Sequence, residues 1–85
     1  MRLFYSEQFL KRYRKLKDKA LQDRVRKATK KIESNPGIGK PLRNKYKSHR
    51  SIPIGPFRVI YRMEQNKILI TALNHRKKAY KKAPT

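Results

Sequence analysis

The sequence predicts an α+β protein: a small antiparallel β-sheet with an N-terminal strand and a helical hairpin packed on one face, in the order β-α-α-β-β-β. Two stretches of the first half repeat apolar residues at helical spacing. Three short runs of the second half read as strands, two of them joined by a tight turn. A Gly/Pro-punctuated segment separates the halves. Eighty-five residues hold one domain and one modest core, so 1–85 is read as a single domain.

Residues 2–5, Arg-Leu-Phe-Tyr, form the opening strand. Ser6 is an N-cap residue, and Glu7 follows in the first turn, where the helix dipole favours an anion. Phe9, Leu10, Tyr13 and Leu16 then recur at helical spacing. Lys17-Asp18-Lys19 breaks the pattern, and Asp18 can cap a second helix. Leu21, Val25, Ala28 and Ile32 step by four, three and four residues, which puts them on one face with a solvated basic back. Pro36 disfavours α geometry at Asn35 and ends the helix. From Gly37 to Ser48 the chain contains no acid and reads as a loop carrying Lys40, Arg43, Lys45 and Lys47. Strands are expected over 49–54, 57–63 and 67–73. Pro53 and Pro56 cannot donate to a ladder, so the first of these three is an edge or a bulged strand. Gln65-Asn66 reads as a hairpin turn, with Asn supplying the positive φ. The tail from His75 is short and basic, and its last residues are expected to be disordered.

Composition excludes several classes of function. Lys and Arg number 25 against five acids, for a formal net charge of +20. Repulsion on that scale calls for a polyanionic partner, and nucleic acid meets it by releasing counterions. Cysteine is absent, which removes disulfides and thiolate catalysis. The two histidines and five carboxylates show no metal-ligand spacing, so no metal or other cofactor is expected. No apolar run nears the roughly 18 residues that span a bilayer. The apolar stripes are narrow, as for a core rather than a membrane surface. The expected location is the cytoplasm.

Arg58, His75, Arg76 and Tyr80 stand at or near the ends of the strand-like segments, and such side chains can hold a phosphate and move a proton. Taken singly each has a plainer reading: Arg58 on a solvated face by alternation, His75 as a surface imidazole, Tyr80 as an aromatic that anchors the tail. Their order is what resembles a family. The stretch IPIGPFRVIY (52–61), followed by ILITALNHRKKAY (68–80), resembles the RelE/ParE superfamily of toxins from toxin–antitoxin systems. Asn35-Pro36-Gly37-Ile38-Gly39 and Leu42 after a helical hairpin fit as well.

The resemblance implies a RelE-like toxin that cuts mRNA on the ribosome without metal and is held inactive by a cognate antitoxin. The 2′-OH would attack the adjacent phosphate and release a 5′-OH fragment. Arg58 matches the family's strand arginine and would hold the scissile phosphate; Arg76 matches the second arginine of that clamp. His75 falls where several members carry a proton-transfer histidine, and Tyr80 matches the C-terminal tyrosine. Arg43, Lys45, Lys47 and Arg50 are expected to bind RNA. Ser51 and Pro53 depart from the pattern, because several relatives carry basic residues there. No acid stands between Glu33 and Glu64, so a carboxylate base from the loop is excluded. The base is then His75, His49, Tyr80 or a lysine of depressed pKa, with His75 preferred. The alternatives are a ParE-like toxin that poisons DNA gyrase without nuclease activity, and a non-enzymatic basic protein that binds RNA or the ribosome.

Overall fold

Ser6 and Asp18 set where the two helices begin. A computed structural model describes residues 1–43 and 48–75. In it, α1 (Glu7–Lys15) is capped by the Ser6 hydroxyl, which accepts from the Phe9 amide at 3.1 Å. The same hydroxyl donates to the Thr71 carbonyl at 2.8 Å, so the cap also ties α1 to the sheet. Helix α2 (Lys19–Ser34) is capped by Asp18, whose carboxylate accepts from the amides of Ala20 and Leu21 at 2.9 and 3.2 Å. Gln22 closes the joint by donating to the Leu16 carbonyl at the end of α1 and to the Tyr13 carbonyl, which also accepts from the Leu16 amide. Replacing Asp18 by Ala should therefore destabilise the fold by about 1 kcal/mol. A thermal melt should record this as a drop of roughly 4–8 °C; an unchanged midpoint would remove Asp18 from the account.

Strand β1 (Arg2–Tyr5), β2 (Lys40–Pro41), β3 (His49–Ile54), β4 (Phe57–Glu64) and β5 (Lys67–His75) form one sheet in the order β1-β5-β4-β3-β2. Strands β2 to β5 are antiparallel neighbours. The sheet is nonetheless mixed, because β1 lies parallel to β5 in the register Arg2↔Lys67 to Tyr5↔Ile70. Strand β1 reaches its neighbour by a crossover through the helical hairpin, and crossovers, unlike tight hairpins, deliver parallel strands.

The segment read as a loop contains β2, which pairs only through Lys40↔Ser51 and Pro41↔Arg50. The Leu42 amide donates to the His49 carbonyl at 3.0 Å, so the backbone groups of residues 49, 51 and 53 point outward by the period of two. Pro53 therefore lacks its N–H on the outer side of β3, beyond the reach of β2, where no ladder bond is lost. In the 65–66 turn the positive φ falls on Gln65 (52°) rather than on Asn66, the pattern of a II′ hairpin. The core joins Phe9 of α1, Val25, Ala28 and Ile32 of α2, and Ile54, Val59, Tyr61, Ile68, Ile70 and Leu73 of the sheet.

One irregularity decides which side chains share a face. Tyr61 pairs with Ile70 while Ile60 pairs with Ala72, so Thr71 is an extra residue in β5. It is held from both sides: its carbonyl accepts from Ser6, and its hydroxyl donates to the Ile60 carbonyl at 3.1 Å. The buried positions of β5 accordingly run Ile68, Ile70, then Leu73, out of strict alternation.

Candidate nucleic-acid interface

Alternation along β4 turns Val59 and Tyr61 into the core and Arg58, Ile60 and Arg62 to the opposite face. Register extends that face across the neighbours: His49 opposes Arg62, Ser51 opposes Ile60, and Arg58 lies between Pro53 and Asn74. Arg58 donates from Nη1 to the Ser51 hydroxyl at 3.1 Å, and Ser51 is 1% exposed. The guanidinium is thus tethered rather than free to sweep through solvent. Arg62 pairs with Glu64 at 3.1 Å. Lys40 opposes Ser51 from β2.

Arg58 and Ser51 help to line a groove of about 580 Å³ that runs round the outer edge of β3 to α2. Among the described residues its cations are Arg24, Lys27 and Lys31 of α2, Lys40 and Arg58; its apolar lining includes Ile38, Ile52 and Ile54, and no carboxylate among them takes part. Such a groove attracts anions and gives a guanidinium fork a fixed place to hold one.

The expected site residues separate. Arg58 lies on the face away from the core, bonded to Ser51. His75 does not join it: it pairs with Phe57, its ring lies edge-on to that of Phe57 at 5.5 Å, and both are on the core side of the sheet. Arg50, expected to bind RNA, also turns to the core side, opposite Tyr61. It donates to the carbonyl oxygens of Gly39 and Gly37 at 2.8 and 3.4 Å. Its guanidinium braces the turn that leads into β2 and is committed to that work. Tyr61 completes the brace, donating to the Pro36 carbonyl at 2.7 Å and accepting from the Gly39 amide at 2.8 Å. Burial pushes the Tyr61 phenol up from its usual value near 10, with the Gly39 bond and Arg50 pulling the other way. Arg43 is exposed just past β2. Lys45, Lys47, Arg76 and Tyr80 lie outside the described residues.

Sequence reasoning passed over Lys40, Arg62 and the three α2 cations. Arg62 was within reach, four residues beyond Arg58 on the same alternating strand. Arg24, Lys27 and Lys31 follow the spacing of Val25, Ala28 and Ile32 one position earlier, and so flank the buried stripe. His49 sits beside Arg62, and burial, then the Arg62 charge, lower its pKa below the usual 6.5. Among the described residues no three of His, Cys, Asp and Glu come together as metal ligands. Nor is any helix among them long and apolar enough to cross a membrane.

A family model, described as the ParE toxin of the parDE type II toxin–antitoxin system, matches residues 3–80. No curated protein sequence matches. Among solved structures, a YoeB/ParE toxin from Agrobacterium tumefaciens superposes with a TM-score of 0.76 at 16% identity, over 89% of this chain and 99% of that one. The isolated RelE toxin of E. coli gives 0.75 at 20% identity, over 96% and 93%. The YoeB–YefM complex from Staphylococcus aureus gives 0.73 at 21% identity, over 89% and 97%. At these identities the structural likeness establishes the fold.

Proposed function

The chain belongs to the ParE toxin family of type II toxin–antitoxin systems, and on that premise we propose that it is an endoribonuclease that cuts mRNA on the ribosome. The reaction is attack of an RNA 2′-OH on the adjacent phosphate, with release of a 5′-OH fragment and no metal ion. The observation that carries this reading is the Arg58 guanidinium, tethered 3.1 Å from Ser51 in a groove that the described residues line with five cations and no carboxylate. Attack adds negative charge to the phosphoryl oxygens. A fixed guanidinium aimed at them stabilises the transition state more than the ground state. Lys40 stands opposite Ser51 and supplies a cation near the positions where Ser51 and Pro53 replace basic residues of relatives. Arg76 would be the second clamp, and Tyr80 an aromatic that stacks on a base. The helix cations Arg24, Lys27 and Lys31 would carry the flanking phosphates.

A cognate antitoxin is the protein partner of this reading. RelBE of E. coli and YoeB–YefM of S. aureus are toxin–antitoxin complexes on the same fold. A net charge of +20 favours an acidic antitoxin that covers the groove until it is removed, and the cytoplasm is where toxin, antitoxin and translating ribosomes meet. The name of the matching family supports a second reading, a poison of DNA gyrase without nuclease activity. A phosphate clamp serves no purpose in a protein-binding poison, which ranks that reading below the first.

The chemistry is tested by incubating the purified full chain with ribosomes carrying a defined mRNA. We expect new fragments with 5′-OH ends and 2′,3′-cyclic phosphate partners. Ends bearing a 5′-phosphate would contradict the mechanism.

A further inference from the structure

If the face around Arg58 cuts RNA as proposed above, a group on that face must take the 2′ proton, and we infer that His49 is this catalytic base. Four observations converge on it. His49 opposes Arg62 in the β3–β4 register and so lies on the Arg58 face. It is two residues from Ser51 along β3, a separation of about 6.6 Å on one face of a strand. Because Arg58 is bonded to Ser51, the imidazole and the guanidinium stand on either side of one residue. A phosphodiester gripped by the guanidinium leaves its neighbouring ribose within the span between them. His75, the other histidine of the chain, is on the far side of the sheet against Phe57.

Among the described residues the other groups of the face are poor acceptors. Guanidinium and ammonium groups offer donors and no acceptor. Glu64 is engaged by Arg62 at 3.1 Å and stands at the far end of β4, beside the turn. The charged neighbours of His49 among the described residues are Arg62 across β4, with Glu64 beyond it, and Arg58 by way of Ser51. Just past β2 it meets Leu42, whose amide donates to the His49 carbonyl. Ser48 Oγ lies 3.4 Å from its Nδ1. Burial, with the Arg62 charge second, lowers its pKa and favours the neutral ring, the form a general base requires.

In the step itself the His49 imidazole accepts the 2′-OH proton as the 2′-oxygen bonds to phosphorus. The bond from phosphorus to the 5′-oxygen breaks, the leaving oxygen takes a proton from solvent, and the imidazolium returns its own to solvent. Nothing is oxidised or reduced.

Single-turnover cleavage of ribosome-bound mRNA by the full chain, from about pH 5 to about pH 8, tests this. Wild type should show a rate that falls on acidification with a midpoint below 6.5, as imidazolium forms. His49→Gln should cut roughly 10²–10⁴-fold more slowly and lose that acid limb, with mRNA binding and melting temperature near wild type. His75→Gln should keep both rate and limb. A His49→Gln protein with wild-type rate and limb, or a His75→Gln protein that loses the limb, overturns the assignment while leaving the ribonuclease reading intact. Absence of cleavage by wild type would remove both.

Discussion

Arg58→Ala is expected to lower the cleavage rate by roughly 10²–10³-fold, the loss found when one preorganised donor is taken from a developing oxyanion. The effect should be on the chemical step, because the flanking phosphates remain held by Lys40 and the α2 cations of the groove. Arg58→Lys should recover only part of the rate: an ammonium restores the charge but not the planar fork that grips two phosphoryl oxygens at once. Ser51→Ala should give a smaller loss, since Ser51 acts only by tethering the guanidinium. Single-turnover rates of the three variants, set beside their mRNA affinities, check this. A loss of affinity with an unchanged rate at saturation would make Arg58 a binding residue.

The largest effect on stability is expected at Tyr61, which is 0% exposed. Tyr61→Ala removes an aromatic ring from the middle of the core and should cost about 3–5 kcal/mol. A domain of this size has roughly 0.05–0.15 kcal/mol of stability per residue, so the loss approaches the whole and the variant should be largely unfolded at 37 °C. Tyr61→Phe isolates the polar part. It fills the same space but leaves the buried Gly39 amide and the Pro36 carbonyl without their partner, at about 1–3 kcal/mol. Gly39→Ala attacks the same joint from the other side, because its Cβ would stand 2.6 Å from the Tyr61 hydroxyl oxygen. Denaturant titration of the three variants should rank Tyr61→Ala as the most damaging. A Tyr61→Phe protein as stable as wild type would show that the brace between β4 and the turn before β2 carries no weight.

The parts of the fold written in local pattern were legible. Ser6 and Asp18 cap the helices as their residue types suggest, and the stripe from Val25 to Ile32 is the buried face of α2. What escaped depends on contacts distant in sequence. Strand β2 is two residues long, too short for any period to show. The parallel pairing of β1 depends on where the helical crossover sets it down, which no feature of residues 2–5 records. The site divided along the same line. Arg58 could be placed by alternation over 57–62. His75 was read as the start of the tail, with its role taken from the resemblance, so no pattern fixed the face on which it falls. Lys67 and Leu69 lie on the Arg58 face, and a regular strand would bring 71, 73 and 75 to it. The extra residue at Thr71 flips the phase, putting Leu73 and His75 on the core side and Asn74 beside Arg58. The clue was present in Ile68, Ile70 and Leu73, whose spacing fits one buried face only if one residue is skipped. Arg50 was read without its register: its strand position turns it inward, where two carbonyl oxygens engage it.

Controlled expression in cells of wild type and Arg58→Ala, with primer extension on a reporter mRNA, tests the central claim most directly. The account predicts growth arrest with new 5′ ends inside the reading frame for wild type, and neither for the variant at equal soluble levels. Growth arrest by wild type without new ends, or cleavage that persists undiminished in Arg58→Ala, would contradict it.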